Sequence, residues 1–314
     1  MKIVFLGSAH YAEPSLRLMI KEGFDVCCVV TQEDKRKDRH LHLQPTVIKQ
    51  AAIELGVPVF QPADINAPDA IAYLRKLDAD LFVLIAYGQK LSQKVLDIPH
   101  SMTINIHGSM LPSYRGAAPI QWALMHGEKE TGNSLIKVIL EMDAGPVLLQ
   151  KPRAIQGTDT FLDLEKQLSL DAACLLLEGL ALIQKNQYHL TEQDGRKVSY
   201  APRLTKKHGL IDWAQPAQHI VNLVRGAQPW PGAFTHFRGK LIKVHQAVLA
   251  AAPADAGTDC APGQVLRVSK EGIEVAAGQG VVKLLELQAE AGRRMSVSEF
   301  IAGHKVCAGE RFQS

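Results

Sequence analysis

The chain of 314 residues predicts an α/β fold: a Rossmann-like parallel sheet followed by a smaller β-rich barrel of the oligonucleotide-binding (OB) type. Three observations lead there. Apolar strand-like runs alternate with amphipathic helical ones through the first 110 or so residues, the pattern of a parallel sheet covered on both faces. Beyond about residue 188 the pattern changes to short apolar runs separated by glycine, as in a small all-β domain. Between these regimes, the segment NIHGSMLPSYRGAAP starts as strand and breaks into polar, glycine and proline residues. Parallel sheets bind ligands just there, beyond the carboxyl ends of their strands.

In order, KIVFLG reads as the first buried strand and EPSLRLMIKEG as a helix closed by Gly23. DVCCVVT is the second strand, and QEDKRKDRHLHLQ is too polar and charged to pack. PTVIKQAAIELG is a helix with Pro45 near its first turn. PVF is a short strand, APDAIAYLRKLD a helix, and ADLFVLIAYG and SMTINIHG are two more strands. TDTFLDLEKQLSLDAACLLLEGLALIQK is a long helix, apolar on one side. Residues 188–205 read as a linker between a catalytic domain over 1–187 and a second domain over 206–314. In that domain DWAQPAQHIVNLVRGAQ is a helix, and SKEG and AGQG are hairpin turns of a five-stranded barrel.

Composition narrows the function. The first glycine turn, GSAHYA, lacks the G-x-G-x-x-G spacing that lets backbone approach a pyrophosphate, which argues against a nicotinamide or flavin cofactor. Five scattered cysteines without C-x-x-C spacing argue against a zinc site or a disulfide framework, and point to a reducing, cytoplasmic setting. No uninterrupted apolar run of about 18 residues suggests a membrane span. Net charge is +3, unevenly spread: from Tyr200 onward 14 lysines and arginines face 9 aspartates and glutamates. The run KRKDRHLH forms a second basic cluster. Such patches suit a polyanion such as nucleic acid.

The chemistry concentrates in the motif. Asn105 and His107 are two apart on a strand and share a face. An amide N–H beside an imidazole suits an oxygen that gains negative charge in acyl transfer, and imidazole relays a proton near neutral pH. Asp143, in LEMDAGPVL, is the candidate to orient His107, although an aspartate before Ala-Gly is also a common turn former. No serine or cysteine sits in a nucleophile-elbow setting, so direct attack by an amine is more natural than a covalent intermediate. The residues alone point to acyl- or formyl-group transfer.

Together, Asn-x-His-x-Ser-x-Leu-Pro, RGAAPI and the later D-x-G turn resemble the 10-formyltetrahydrofolate-dependent formyltransferases. PWPGAF, LIDWAQPA and GIEVAAGQGVVKLLELQ are similar to the members that act on methionyl initiator tRNA. The resemblance implies a catalytic trio of Asn105, His107 and Asp143. The amide and imidazole would hold the oxyanion while Asp143 assists removal of a proton from the attacking α-amine. It implies folate contacts at Ser109, Met110, Leu111 and Pro112, with Tyr87 and Gly88 bordering the pocket. It places the family's tRNA-contacting arginine at Arg39, and the charge of the loop and of the C-terminal domain adds Lys35, Arg36 and Lys37, and Lys206 and Lys207, as further tRNA contacts. The co-substrate would be 10-formyltetrahydrofolate, with no metal, and the protein a cytoplasmic monomer. Two departures bear on the pocket: GSAHYA replaces the family's usual GTPEFA, and the basic loop lacks its glycine core. The alternative substrate is the amine of a nucleotide-linked sugar, since those enzymes share the trio and PWPGAF. An inactive RNA-binding protein is the third reading.

Overall fold

The structure, a computed structural model, describes residues 1–36, 43–251 and 260–314. Lys37 and Arg39, expected to contact tRNA, lie outside the described residues. By contact density the chain forms two compact units: Met1–Pro119, Glu130–Ala154 and Glu165–Ala201 make the first, and Ile120–Lys129, Ile155–Leu164 and Pro202–Ser314 the second.

The first unit begins with β1 (Lys2–Gly7), α1 (Glu13–Lys21) and β2 (Asp25–Val30). Pro14 stands in the first turn of α1, where its missing N–H has no helical partner to lose. Two short pieces, β3 (Lys35–Arg36) and β4 (Leu43–Gln44), pair antiparallel within the segment read as an unpacked loop. Then come α2 (Val47–Glu54), β5 (Val59–Phe60), α3 (Pro68–Lys76), β6 (Leu81–Ile85), α4 (Gln93–Leu96) and β7 (Met102–His107). Thr46 caps α2 by accepting the Lys49 N–H at 3.0 Å. Next in the chain is α5 (Pro119–His126), which apart from Pro119 belongs to the second unit; the first unit resumes with β8 (Glu130–Lys137) and β9 (Val147–Ala154), before the long helix α6 (Phe161–Gln184).

The sheet order is β5-β2-β1-β6-β7-β8-β9. The first five strands are parallel, as expected. The last two are antiparallel, so the sheet is mixed. The short connection 138–146 requires β8 and β9 to be antiparallel, because a parallel return needs a crossover of a dozen residues or more. Strand β8 is hidden from a sequence reading because Glu130–Lys137 carries polar residues where a buried strand should be apolar. Asn133 and Ser134 are in fact fully buried and hydrogen-bonded inside. One face of the sheet, with Val4, Leu6, Val30 and Phe82, packs with Ile71 and Leu74 of α3 and Val95 of α4. Helix α6 is long and apolar enough to cross a membrane by length and composition. Yet Leu168, Ala172, Leu176 and Leu180 are fully buried, as in a core helix.

The second unit contains α7 (Ala217–Gly226), β10 (Ala233–Phe237), β11 (Lys240–Ala250), β12 (Val265–Ser269), β13 (Gly272–Ala276) and β14 (Val281–Ala289). They are followed by β15 (Met295–Ser296), α8 (Val297–Gly303) and β16 (Phe312–Gln313). The hairpins expected at SKEG and AGQG join β12 to β13 and β13 to β14. Sheet order is β12-β13-β14-β11-β10-β16. The two ends meet: Val265 N donates to Glu310 O and Phe312 N to Gly263 O, both at 2.8 Å. Those bonds close the sheet and remove its open edges. Trp213, Val244, Val275, Leu284, Leu287 and Phe300 fill the interior.

Candidate active site

Pairing register assembles the site. Asn105 on β7 lies between Leu84 of β6 and Ile136 of β8. All three line a cavity of about 110 Å³, which Met142, Asp143 and Gly145 of the 138–146 turn close from the other side. Asn105 therefore sits in an apolar row, half-buried, and its amide makes no side-chain hydrogen bond among the described residues. An amide beside a cavity without an internal partner is free to bond a ligand. The rim adds exposed apolar surface: Ile139 is 40 %, Leu140 47 % and Met142 58 % exposed.

His107 ends the same strand and is buried. Its Nε2 lies 2.8 Å from the Tyr114 carbonyl. A carbonyl only accepts, so Nε2 carries the proton. The other nitrogen, Nδ1, lies 3.6 Å from Asp143 Oδ2. In the neutral ring that nitrogen is a lone pair, and at 3.6 Å the carboxylate lies within ion-pair range of the ring without a direct hydrogen bond. Asp143 is held in turn by the Gly116 N–H, 2.9 Å from the same oxygen. Its backbone is left-handed, at φ +52°, a region that aspartate tolerates better than most residues. The three residues expected to act together are thus brought together. His107 stands behind the cavity wall, while Asn105 and Asp143 line it.

The other expected residues divide. Ser109 and Leu111 are buried, and the turn they share is bolted to the neighbouring hairpin. Ser134 Oγ donates to Ser109 O at 2.6 Å and accepts from the Leu111 N–H at 2.9 Å. Gln150 Nε2 donates to both Leu111 O and Ser134 Oγ at 2.8 Å. Met110 is half-buried beside Gly132, where a Cβ would stand 2.6 Å from its sulfur. Neither these residues nor Pro112 lines the cavity. Tyr87 packs in the apolar cluster of the sheet, and its buried hydroxyl has no partner among the described residues. Burial, with the Asp64 charge as a lesser cause, pushes its phenol well above the usual range. Gly88 is left-handed at φ +92°, where a Cβ would strike the Gln32 side chain. It is Gln89, Lys90 and Leu91, one to three residues further on, that reach the cavity. The parity of a strand cannot be carried through the turn that follows it, so the sequence had no signal for this shift.

The segment read as a linker is pinned to the first unit as far as Ala201. Thr191 pairs with Val147, and Arg115 pairs with the chain at Ser199 and Ala201. Gln193 hydrogen-bonds the Asp143 turn and Arg115. Lys206 and Lys207 are exposed on a single 3₁₀ turn, Lys206–Gly209, which precedes the barrel strands instead of belonging to them. Lys35 and Arg36 form β3. Among the described residues, no cluster of histidine, cysteine or carboxylates is arranged to hold a metal.

Comparison with known proteins decides the family. The formyl transferase family model matches residues 1–179, and the model of its C-terminal domain matches 203–305. A methionyl-tRNA formyltransferase of Geobacter metallireducens is 41 % identical, over 99 % of this chain and 98 % of the relative. The chain belongs to the methionyl-tRNA formyltransferase family. The formyltransferase of that name from Acetivibrio thermocellus is 40 % identical over 99 % of both chains. Among solved structures, the fold is shared with an N-formyltransferase of Helicobacter canadensis, crystallised with folinic acid and dTDP-3-aminofucose. That likeness has TM-score 0.68 at 18 % identity and covers 92 % of this chain and 100 % of the other. HypX from Aquifex aeolicus, in complex with tetrahydrofolic acid, shares the fold at TM-score 0.62 and 19 % identity, over 96 % of this chain and 47 % of its own.

Proposed function

We infer that the chain transfers the formyl group of 10-formyltetrahydrofolate to the α-amine of methionyl initiator tRNA, as a formyltransferase of translation initiation. The observation that carries this reading is the unpartnered Asn105 amide facing Asp143 across an apolar cavity, in a chain with full-length methionyl-tRNA formyltransferase relatives. The cavity suits the folate: Leu84 and Ile136 offer an apolar wall to a flat heterocycle, and Ile139, Leu140 and Met142 extend it. The folate supplies an activated formyl carbon and a nitrogen leaving group.

In this reading Asn105 donates its N–H to the formyl oxygen as negative charge develops there, the role of an oxyanion-hole donor. Asp143 takes a proton from the attacking amine, and His107, sharing that proton through Nδ1, spreads the charge onto the imidazole. His107 adds its positive charge to the stabilisation of the oxyanion. The proton then returns to the departing nitrogen, so no net proton is consumed. The Ser109–Pro112 turn, fixed by Ser134 and Gln150, contacts the folate outside the lining of the cavity. Lys206 and Lys207, with the basic run Lys35–Arg39, grip the phosphate backbone of the acceptor arm. Arg39 is the candidate for a bidentate contact.

The test is formation of tetrahydrofolate with charged initiator tRNA, with a nucleotide-linked amino sugar as competitor substrate. Turnover with the sugar and none with the tRNA would replace this reading by its alternative. Within it, Asn105→Ala lowers kcat about 10²–10³-fold, the cost of one oxyanion donor, and leaves tRNA affinity unchanged. Wild-type turnover in that variant would remove the amide from the mechanism.

A further inference from the structure

We propose that Gln193 is a positioning residue for the transfer reaction: its amide fixes the turn that carries Asp143, and Arg115 fixes the amide. The inference deepens the functional reading above and rests on it.

Gln193 reaches the turn with one NH₂ group. Its Nε2 donates to Asp143 O and to Gly145 O, both at 2.8 Å. Its Oε1 accepts from Arg115 Nη2 at 2.8 Å and from Nε at 3.1 Å. The orientation of the amide is dictated by these neighbours, because a guanidinium only donates and a carbonyl only accepts. Arg115 is itself buried, and its third contact is Glu141 Oε1 at 3.3 Å. One side chain therefore joins a buried cation to two carbonyls of the turn, both bonds on the amine side of the same amide.

The turn has reason to need such a hold. Asp143 is left-handed at φ +52°, a conformation that non-glycine residues adopt only where the surroundings hold it. Two carbonyls converging within reach of one NH₂ repel each other unless a donor lies between them. A Cβ on Gly145 would stand 1.8 Å from Lys137 O, so the turn is already pressed against the end of β8 on its other side. With Gln193 in place, Asp143 Oδ2 is set 2.9 Å from the Gly116 N–H and 3.6 Å from His107 Nδ1. Gly116 follows Arg115 directly, so the clamp and the second anchor of the carboxylate come from one short stretch of chain. Gln193 does not line the cavity. It acts through Asp143, 50 residues earlier, and touches neither reactant.

Loss of the hold lets the carboxylate shift, and a misplacement of about 1 Å costs on the order of 10²-fold in rate. Two substitutions separate this role from simple support of Arg115. Gln193→Ala removes both halves of the clamp. Gln193→Glu keeps an acceptor for the guanidinium and strengthens that pair, but turns an oxygen toward the two carbonyls in place of the NH₂. Steady-state formylation of charged initiator tRNA is measured for both variants, with thermal midpoints as a check on folding. We expect kcat to fall about 10–10²-fold in both, with KM for folate and for tRNA within twofold of wild type and with both variants folded at the assay temperature. On an Asp143→Ala background, Gln193→Ala should cause no further loss. A glutamate variant with wild-type kcat overturns the proposal, as does a full additive loss in the double variant. If wild-type protein fails to formylate the tRNA at all, it is the functional reading that falls, and the two failures are told apart.

Discussion

Replacing Ser134 by alanine removes a hydroxyl that three other groups use. The side chain is fully buried. Its Oγ donates to Ser109 O, accepts from the Leu111 N–H and accepts from Gln150 Nε2. Gln150 keeps its second bond, to Leu111 O. The Leu111 N–H and the Ser109 carbonyl lose their partner in a place that water does not reach. A lost hydrogen bond is worth about 1 kcal/mol net, and an orphaned buried group about 1–3 kcal/mol, so the turn loses on the order of 2–4 kcal/mol. At 1.4 kcal/mol per tenfold, a loss near 3 kcal/mol opens it about 10² times more often. The assay is amide hydrogen exchange at Leu111, together with KM for the folate, which should rise because this turn is the proposed folate contact. A global unfolding free energy is not the right measure, since two units need not unfold as one. Ser169→Ala is the control: its hydroxyl donates to the Lys166 carbonyl within α6, and its loss should leave both readings unchanged. Less than threefold change in Leu111 exchange with an unaltered KM would refute the assignment of this hydroxyl as the bolt of the turn.

Two further outcomes are expected. Substituting Lys206 and Lys207 together by alanine should weaken tRNA binding and flatten its salt dependence by about 0.9 in log–log slope for each phosphate no longer neutralised; a salt series parallel to the wild type would place the grip elsewhere. Cys174 and Cys307 are exposed, whereas burial pushes the Cys28 thiol up to about 11, against a smaller lowering by a hydrogen bond with Tyr73. A raised thiol pKa leaves little reactive thiolate until the pH approaches that value. Alkylation at pH 8 followed by peptide mapping should therefore label Cys174 and Cys307 while Cys28 stays unmodified, and early labelling of Cys28 would contradict its buried place on β2.

Much of this molecule follows from the sequence because the relevant physics is local. Period-two and period-3.6 patterns mark β1, α1, β2, α2, α3, β6, β7 and α6, and SKEG and AGQG mark two barrel turns. Asn105 and His107 were legible as a pair, since residues two apart on a strand must share a face. The motif and its D-x-G partner carried the family. Other features depended on pairing between distant segments. Strand β8 hides its burial behind Asn133 and Ser134, whose hydrogen bonds are made by residues up to 122 positions away. The row Leu84–Asn105–Ile136 exists only through the register of three strands. Gln193 lies in a stretch that reads as a polar linker, yet its amide meets a turn 50 residues earlier. A polar side chain leaves no periodic trace of the partner it will find, because one hydrogen bond constrains one position. Repeated burial of an apolar face constrains every second or fourth residue along an element. The sequence alone therefore determined most of the strands and helices and the pairing of Asn105 with His107 on one strand face. The tertiary structure alone decided where Asp143 stands and what holds it there.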